Sequence, residues 1–512
     1  MNTKPIIPAF CLLLLLSTAF NSFAQNFSTI FDNDTADDWG INILYRKDSS
    51  YLVFCQGVKA NKRNYYSMVI SKDGNSIVTQ SKLDTNKAFI YTGSYGRAKK
   101  LDTVTYIKPF TLVYKSKVGI GLPGYAFIDT NGNVMNYWNY YTDSSCCTAD
   151  ISDCEVLPDK SILLAGKIFN RTTTAQNSLL IKVDSSGKLL WERQYSKYQL
   201  NTQFTSVQSI NSTQLVVGGD YEVMRYIAYN FQFYRPWFLI IDTAGNIVRD
   251  TTYDNGYAGA GGVGGGNIFK DVNGGYYHYG ELDIAYAPNH PDWAINFPDY
   301  LAHLDDSFKI TWITPFIDTP AHKYIWTVKQ LHDSSYLAMS CKITSSRATI
   351  GWAAKVDKKG KVVWDNTYYV DSAWQNLITD AVELSDHSIV FTGAARDSKN
   401  PAWRQYDVWL LKVDSNGCEI PGCTPTVIKP TTPIKKDIVV YPNPVNDELY
   451  IEGAIPNSTV LLFDLTGRQI LSTRTSNKPK EVISTSNLEI GNYILQIVSP
   501  TGERIVRKVV KE

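Results

Sequence analysis

Residue types able to do chemistry are thinly spread along this chain of 512 residues. Its histidines, His278, His290, His303, His322, His332 and His387, are scattered. None makes an i,i+4 pair with another or joins a Cys/His knuckle, so no metal-ligand set is legible. No serine nucleophile elbow, Walker loop or dinucleotide fingerprint is present. The glycine-dense run GYAGAGGVGGG (256–266) follows no strand–helix unit and reads as an inter-strand loop, not a phosphate cradle. No catalytic residue, metal ligand or cofactor site can be assigned. Two aromatic, Pro-interrupted stretches remain, MRYIAYNFQFYRPW (224–237) and DIAYAPNHPDWAINFPDY (283–300). Exposed Tyr and Trp stack on sugar rings or hold a peptide, so Tyr286, His290, Trp293 and Tyr300 form the expected ligand-contacting cluster. The alternative is that these aromatics pack their loops onto the strands beneath.

Cysteine chemistry depends on compartment. With Cys11 set aside in an N-terminal apolar run, seven cysteines remain, at 55, 146, 147, 154, 341, 418 and 423. An exported location permits disulfides. Cys418 and Cys423 flank Glu-Ile-Pro-Gly and are expected to close a small loop; Cys147, or its neighbour Cys146, is expected to pair with Cys154. An odd count leaves a thiol, with Cys55 and Cys341 the candidates for burial in strands.

The elements that must position these residues follow from composition and pattern. Fifty Lys+Arg against 49 Asp+Glu leave a net charge of +1, with 19% of residues charged. That balance excludes an electrostatic nucleic-acid binder. An apolar content of 44% with 13% aromatics excludes disorder, and 33 Tyr and 12 Trp favour strands. Both ends read as addresses. Lys4, the apolar run AFCLLLLL (9–16) and small residues at Ser22 and Ala24 predict a secretory signal peptide over 1–24, cut after Ala24. The run is too short for a bilayer span of about 20 residues. At the other end, TPTVIKPTTPIKKD (424–437) reads as an extended linker, and 438–512 as about seven short strands of a small Ig-like β-sandwich.

Between them a motif recurs: an apolar strand, a turn with Asp and Gly, then a strand carrying an aromatic. LIKVDSSGKLLWERQY (180–195) and AAKVDKKGKVVWDNTY (353–368) are the clearest copies. The turn anchors fall at 74, 132, 187, 245, 308, 360 and 417, with Phe308 replacing the usual Gly, and the mean spacing is about 57 residues. Another strand pair precedes most anchors, as in CEVLPDKSILLAGKIF (154–169). Four strands per period over seven periods predict an all-β chain, a seven-bladed β-propeller over 25–423. The segment NFSTIFD (26–32) is expected to supply the missing strand of the last blade, built from about 378–417, closing the ring. Six or eight blades stay open as alternatives.

Several motifs carry resemblances. YPNP (Tyr441, Pro442, Asn443, Pro444), FDLTGR (463–468, with Gly467), GNYIL (491–495, opening on Gly491) and the basic finish VRKVVKE together resemble the type A C-terminal sorting domain of the bacterial type IX secretion system. This resemblance implies Sec export, passage through the outer membrane, removal of the domain and a Bacteroidetes-type source. The secretion machinery would be its partner. The turns Asp184-x-x-Gly187-Lys188-x-x-Trp191 and Asp357-x-x-Gly360-Lys361-x-x-Trp364 resemble quinoprotein repeats, in which the Trp docks blade on blade; the Asp-box of sialidases spaces Asp and Gly differently. Cys146-Cys147 resembles the vicinal disulfide of quinoprotein alcohol dehydrogenases, but no pyrroloquinoline or calcium site can be assigned. The expected protein is a secreted or surface-held monomer that binds a glycan or protein, with no transmembrane segment. A glycan-active or quinoprotein-like enzyme on the same scaffold is the rival.

Overall fold

At all seven anchors the backbone turns through positive φ. Gly74, Gly132, Gly187, Gly245, Gly360 and Gly417 lie at 73–89° and Phe308 at 62°. The preceding aspartate shapes the turn. Asp184 accepts hydrogen bonds from the backbone N–H of Ser186 and Lys188 at 2.8 and 2.9 Å, and Asp129, Asp242, Asp305, Asp357 and Asp414 repeat the pattern. Six of the seven turns join the third and fourth strands of a sheet, and the one at Gly417 follows a third strand whose outer neighbour comes from the N-terminus.

The computed structural model describes residues 26–32, 37–59, 62–82, 88–91, 96–114, 121–140, 147–226, 231–252, 266–281, 299–318, 321–344, 348–370, 373–397, 405–419, 438–453, 456–464, 469–476, 478, 480–498 and 504–512. The chain divides into two compact units, Met1–Thr426 and Val427–Glu512. The regular elements of the described residues are all strands.

In the first unit the strands form consecutive antiparallel groups. Sheet 1 is Asp37–Tyr45, Tyr51–Lys59, Lys62–Ile70 and Ile77–Lys82. In sheet 2, Ala88–Tyr91 and Lys99–Lys100 both pair with Thr105–Tyr114, followed by Gly121–Asp129 and Val134–Asn139. Sheet 3 is Cys147–Val156, Ile162–Asn170, Gln176–Val183 and Leu189–Tyr195; sheet 4 is Thr202–Ser209, Gln214–Tyr226, Phe231–Asp242 and Ile247–Thr252. Sheet 5 is Asn267–Lys270, Tyr276–Glu281, Asp299–Leu304 and Ile310–Pro315; sheet 6 is Ala321–Gln330, Tyr336–Ile343, Thr349–Val356 and Val362–Tyr368, with Ile317–Asp318 at its edge. Sheet 7 has Ala373–Glu383, Ile389–Asp397 and Asp407–Val413 from the end of the unit. Its outer strand is the N-terminal Ser28–Phe31, with Ser28 opposite Leu411 and Phe31 opposite Val408. Sheets 6 and 7 also meet through one parallel pair, Thr349 with Gln375.

The N-terminal strand takes a chemical role as well as a place. In sheet 4, Trp237 Nε1 donates to Asp250 at 2.9 Å, two residues before its cross-strand neighbour Thr252; in sheet 6, Trp352 donates to Asp365 at 2.8 Å, two before Thr367. In sheet 7, Trp409 donates to Ser28 Oγ at 3.0 Å, two before Ile30. Three buried indoles therefore meet the same requirement for an N–H partner.

Each sheet packs its apolar faces on its neighbours. Phe54 and Leu52 of sheet 1 cluster with Phe110 and Ile128 of sheet 2, and Ile107 of sheet 2 with Ile151 and Leu164 of sheet 3. Leu180 with Trp237, Phe238 with Leu304, Leu301 with Trp352, and Trp364 with Phe391 continue the series through sheet 7. Val390 and Val408 of sheet 7 then cluster with Ile43 and Val53 of sheet 1. At most junctions an outer-strand aromatic covers the next sheet's turn glycine: Trp138 on Gly187, Trp191 on Gly245, Trp312 on Gly360, Trp364 on Gly417 and Phe27 on Gly74. Between sheets 4 and 5 both partners change together, to Arg249 over the Phe308 ring at 5.4 Å. A ring fills the space a glycine leaves elsewhere, and a cation replaces the aromatic lid.

In the second unit, Val439–Tyr441, Glu448–Glu452 and Lys480–Ser484 form one sheet, and Gln469–Arg474, Thr459–Asp464, Gly491–Val498 and Arg504–Lys511 a second. Leu449, Ile451, Leu462, Leu495 and Val509 share its core. Asn443 binds the last strand through both ends of its amide: Nδ2 donates to Lys508 O and Oδ1 accepts from Val510 N–H, each at 2.8 Å. Tyr441 donates to Glu452, and its ring lies 5.5 Å from Tyr450. Gly491 opens a strand where a Cβ would meet open space, so no crowding explains its being glycine.

Candidate functional site

First strands carry a one-residue bulge in sheets 1, 3, 4 and 6, and two irregularities in sheet 7. A bulge leaves a backbone N–H without its ladder partner. Side chains of the preceding sheet also accept from first-strand N–H groups, in sheet 5 too, whose first strand Asn267–Lys270 carries no bulge. Asp380 takes Ile43 N–H at 3.0 Å, Thr111 takes Ile151 N–H at 3.1 Å, and Asp153 takes Val207 N–H at 3.1 Å. Ser206 takes Ile268 N–H at 3.0 Å, and Asp299 accepts from Ile325 N–H. These bonds tie sheet to sheet along their first strands.

Sheet 2 departs most. Its first strand breaks between Tyr91 and Lys99, and Arg97 lies in the break. The Arg97 guanidinium lies 3.7 Å above the Phe269 ring of sheet 5 and donates to Val328 O of sheet 6 at 3.5 Å. Lys99 pairs with Glu155 of sheet 3 at 2.7 Å, while Glu155 also accepts from Ser209 N–H of sheet 4. Buried Lys108 donates to Asn42 of sheet 1 and to Gly96 O. Lys329 of sheet 6 pairs with Asp380 of sheet 7 at 2.8 Å. Groups from all seven sheets thus converge on one buried polar network. Burial opposes the charge on Arg97, but Tyr277, Tyr279, Asp153 and Asp380 outweigh it and raise its pKa. Burial pulls Lys108 down to about 8 and pushes Asp153 above the usual carboxylate range.

A second constellation lies where sheet 5 ends. Glu281 and Asp299 are direct cross-strand partners. Burial pushes Glu281 up to about 7, and burial with the Glu281 charge raises Asp299 further. Asp299 Oδ1 is buried without a hydrogen-bond partner. Tyr324 faces both carboxyls, and burial with these charges raises its phenol to about 12. A carboxyl titrating near neutrality beside another is the electrostatic arrangement that acid–base chemistry uses. Nothing in the sequence pattern marked either residue, because pairing across strands depends on register.

The expected aromatic cluster fares differently. Tyr286, His290 and Trp293 lie outside the described residues. Tyr300 is a correction: it is 1% exposed and its hydroxyl sits 2.5 Å from His278 Nε2, so it is a core residue and no surface contact. Its strand position puts it opposite Gly280, pointing into the sheet packing. His278 is buried too, and burial lowers its pKa to about 4. The histidines are also less scattered than their spacing suggests, for His332 and His387 meet at Glu383.

The Cys147–Cys154 pairing is overturned. Cys154 is a free, buried thiol. The two cysteines share one extended strand seven residues apart, which separates them by about 23 Å at a rise of ~3.3 Å per residue, whereas bridged Cα atoms lie within about 7 Å. Cys55 and Cys341 are also free and buried. Burial raises all three thiols, Cys341 to about 12, which makes them poor nucleophiles. Cys147 and Cys418 are not free thiols; Cys146 and Cys423, like Ala24 and Gly467, lie outside the described residues. Among the described residues no helix is long and apolar enough to cross a membrane.

Comparison with known proteins separates the two units. Residues 439–512 match the family described as the secretion system C-terminal sorting domain. This stretch is a type IX secretion sorting domain. It accounts for the YPNP and GNYIL motifs and marks the chain for export to the cell surface or beyond. No curated protein matches the sequence. Among solved structures, PorZ, a surface component of the type IX secretion system of Porphyromonas gingivalis, is similar at 12% identity with a TM-score of 0.37, over 91% of this chain and 69% of that one. The β-propeller domain of the Trilobed protease from Pyrococcus furiosus is similar at 11% and 0.41, over 79% and 98%. A PL25 ulvan lyase is similar at 10% and 0.43, over 74% and 95%. At such identities and scores none of these likenesses bears on activity.

Proposed function

We propose that this is an exported seven-bladed β-propeller that binds a glycan or protein at the cell surface and performs no catalysis. In this reading a signal peptide over 1–24 is removed after Ala24, residues 25–423 form the ring, 424–437 are a linker and 438–512 an Ig-like sandwich that the secretion machinery recognises and removes. Ser28–Phe31 closes the ring by completing sheet 7, and a Cys418–Cys423 disulfide pins the exit. The cycle of apolar clusters running from sheet 1 to sheet 7 and back to sheet 1 supports seven blades.

The observation that carries the binding role is the Arg97 network. Where the first strands converge, Lys99 pairs with Glu155, Lys329 pairs with Asp380, and Arg97 is held over the Phe269 ring. A ligand would then meet the rims of the ring, where the connections between strands lie. The rival enzyme has one observation in its favour, the Glu281–Asp299 pair.

One experiment separates the two. The mature exported protein is applied to an array of bacterial and plant polysaccharides and to whole cells, with retention and new reducing ends measured together. Retention without new ends, unchanged by Glu281→Gln, is the expected result. Release of oligosaccharide that Glu281→Gln abolishes would establish the enzyme instead.

A further inference from the structure

The first-to-second-strand turns of sheets 6 and 7 are built alike. In sheet 6, Leu331 N–H donates to Ser335 O at 2.8 Å and Asp333 accepts from Ser335 N–H at 3.0 Å; in sheet 7, Leu384 N–H donates to Ser388 O at 2.8 Å and Asp386 accepts from Ser388 N–H at 3.0 Å. His332 sits in the first turn and His387 in the second. Their separation in sequence, 55 residues, is close to one repeat, so stacking the sheets brings the two rings together, with centroids 6.2 Å apart. Between them stands Glu383, the last residue of the first strand of sheet 7.

Glu383 Oε1 lies 2.9 Å from His387 Nδ1, and Oε2 lies 3.3 Å from His332 Nδ1. One donor atom from each residue falls within 4.8 Å of the others. A tetrahedral ion with bonds of about 2.0–2.1 Å needs donors roughly 3.3 Å apart, so modest side-chain rotation suffices. The carboxylate is fixed in advance: its side chain is only 6% exposed, and Oε2 accepts from His332 N–H at 2.6 Å. The imidazoles are more than half exposed, which leaves an entry path. Two imidazoles and one carboxylate suit Zn²⁺ and disfavour the hard ions Ca²⁺ and Mg²⁺.

We propose that His332, Glu383 and His387 bind one zinc ion that clamps sheets 6 and 7 at their turns, with a fourth position open to solvent. Three protein ligands with an open site is an arrangement zinc commonly adopts. The inference stands apart from the binding role proposed for the ring and holds or fails on its own.

The test uses the mature chain without a histidine tag, stripped with EDTA and titrated with zinc sulfate by calorimetry. Cobalt substitution reports geometry through its visible absorption. One equivalent of zinc, a tetrahedral cobalt spectrum and a raised Tm are expected. Loss of an outer partner alone weakens metal sites about 10–100-fold, so His332→Ala or His387→Ala should weaken binding by at least that much. The double variant His332→Asn/His387→Asn should bind no zinc at this site and keep the metal-free Tm of the parent, because both rings are exposed. No uptake by the parent chain, or equal uptake by the double variant, overturns the proposal.

Discussion

Glu281 carries a direct pH consequence at the candidate sites. Its folded pKa of about 7 lies above the ordinary glutamate value of about 4.3. The fold therefore favours the protonated form. That contribution is complete below about pH 4.3 and is lost as pH rises through 7. Glu281→Gln keeps a neutral amide at every pH, so its Tm should match the parent at pH 4 and exceed it at pH 8; equal melting curves at pH 8 would contradict the burial argument. The turn glycines supply a second prediction at this scale. At Gly360 φ is +84° and a Cβ would lie 2.7 Å from the Trp312 ring. Gly360→Ala should cost about 1–3 kcal/mol in chemical denaturation, for αL strain alone is of that order. At Phe308, whose neighbour is Arg249, the substitution Phe308→Gly should also destabilise, because the lid at that junction is a cation lacking its ring.

At the scale of elements, the break in the first strand of sheet 2 matters most. Arg97 reaches sheets 5 and 6 because the chain leaves the ladder there, and the carboxylates that face it are themselves buried. Removing one partner of a buried charged network leaves the others uncompensated, so Arg97→Ala should cost about 3–5 kcal/mol. A smaller loss, near that of a surface arginine, would show that water reaches the network. The N-terminal strand behaves as an interchangeable part. Ser28 does for Trp409 what Asp250 and Asp365 do for Trp237 and Trp352. Deleting residues 26–32 from the mature chain should expose Trp409, red-shift tryptophan fluorescence and lower Tm, whereas Ser28→Ala should cost only about 1 kcal/mol.

For the molecule as a whole, the two units have separate jobs. The sorting domain at 439–512 directs export. A chain ending before residue 438 should accumulate in the periplasm with its first unit folded, measured by cell fractionation and a thermal melt of the retained protein. Asn443→Ala acts on the same unit more gently. It removes two hydrogen bonds to the last strand and should lower that unit's stability by about 1–3 kcal/mol.

What could be read from the sequence was whatever repeats or is local. The Asp-x-x-Gly turns demand positive φ and a side-chain acceptor, and every anchor read from the spacing carries that geometry, Phe308 included. The strand alternation of 26–32 and the sorting motifs are likewise local and were legible. What the sequence left undetermined arises between segments far apart along the chain. Tyr300 looked like a loop aromatic because its pattern says nothing of depth, yet its hydroxyl is enclosed by His278. Cys147 and Cys154 looked like partners by nearness in sequence, but an extended strand holds them apart. Strand register set Glu281 against Asp299, and the stacking of the sheets gathered Arg97 with the acids and lysines of the other sheets and laid His332 beside His387. Spacing fixes the period of a repeat, whereas the contacts made when the sheets pack together decide which charges share a low-dielectric site.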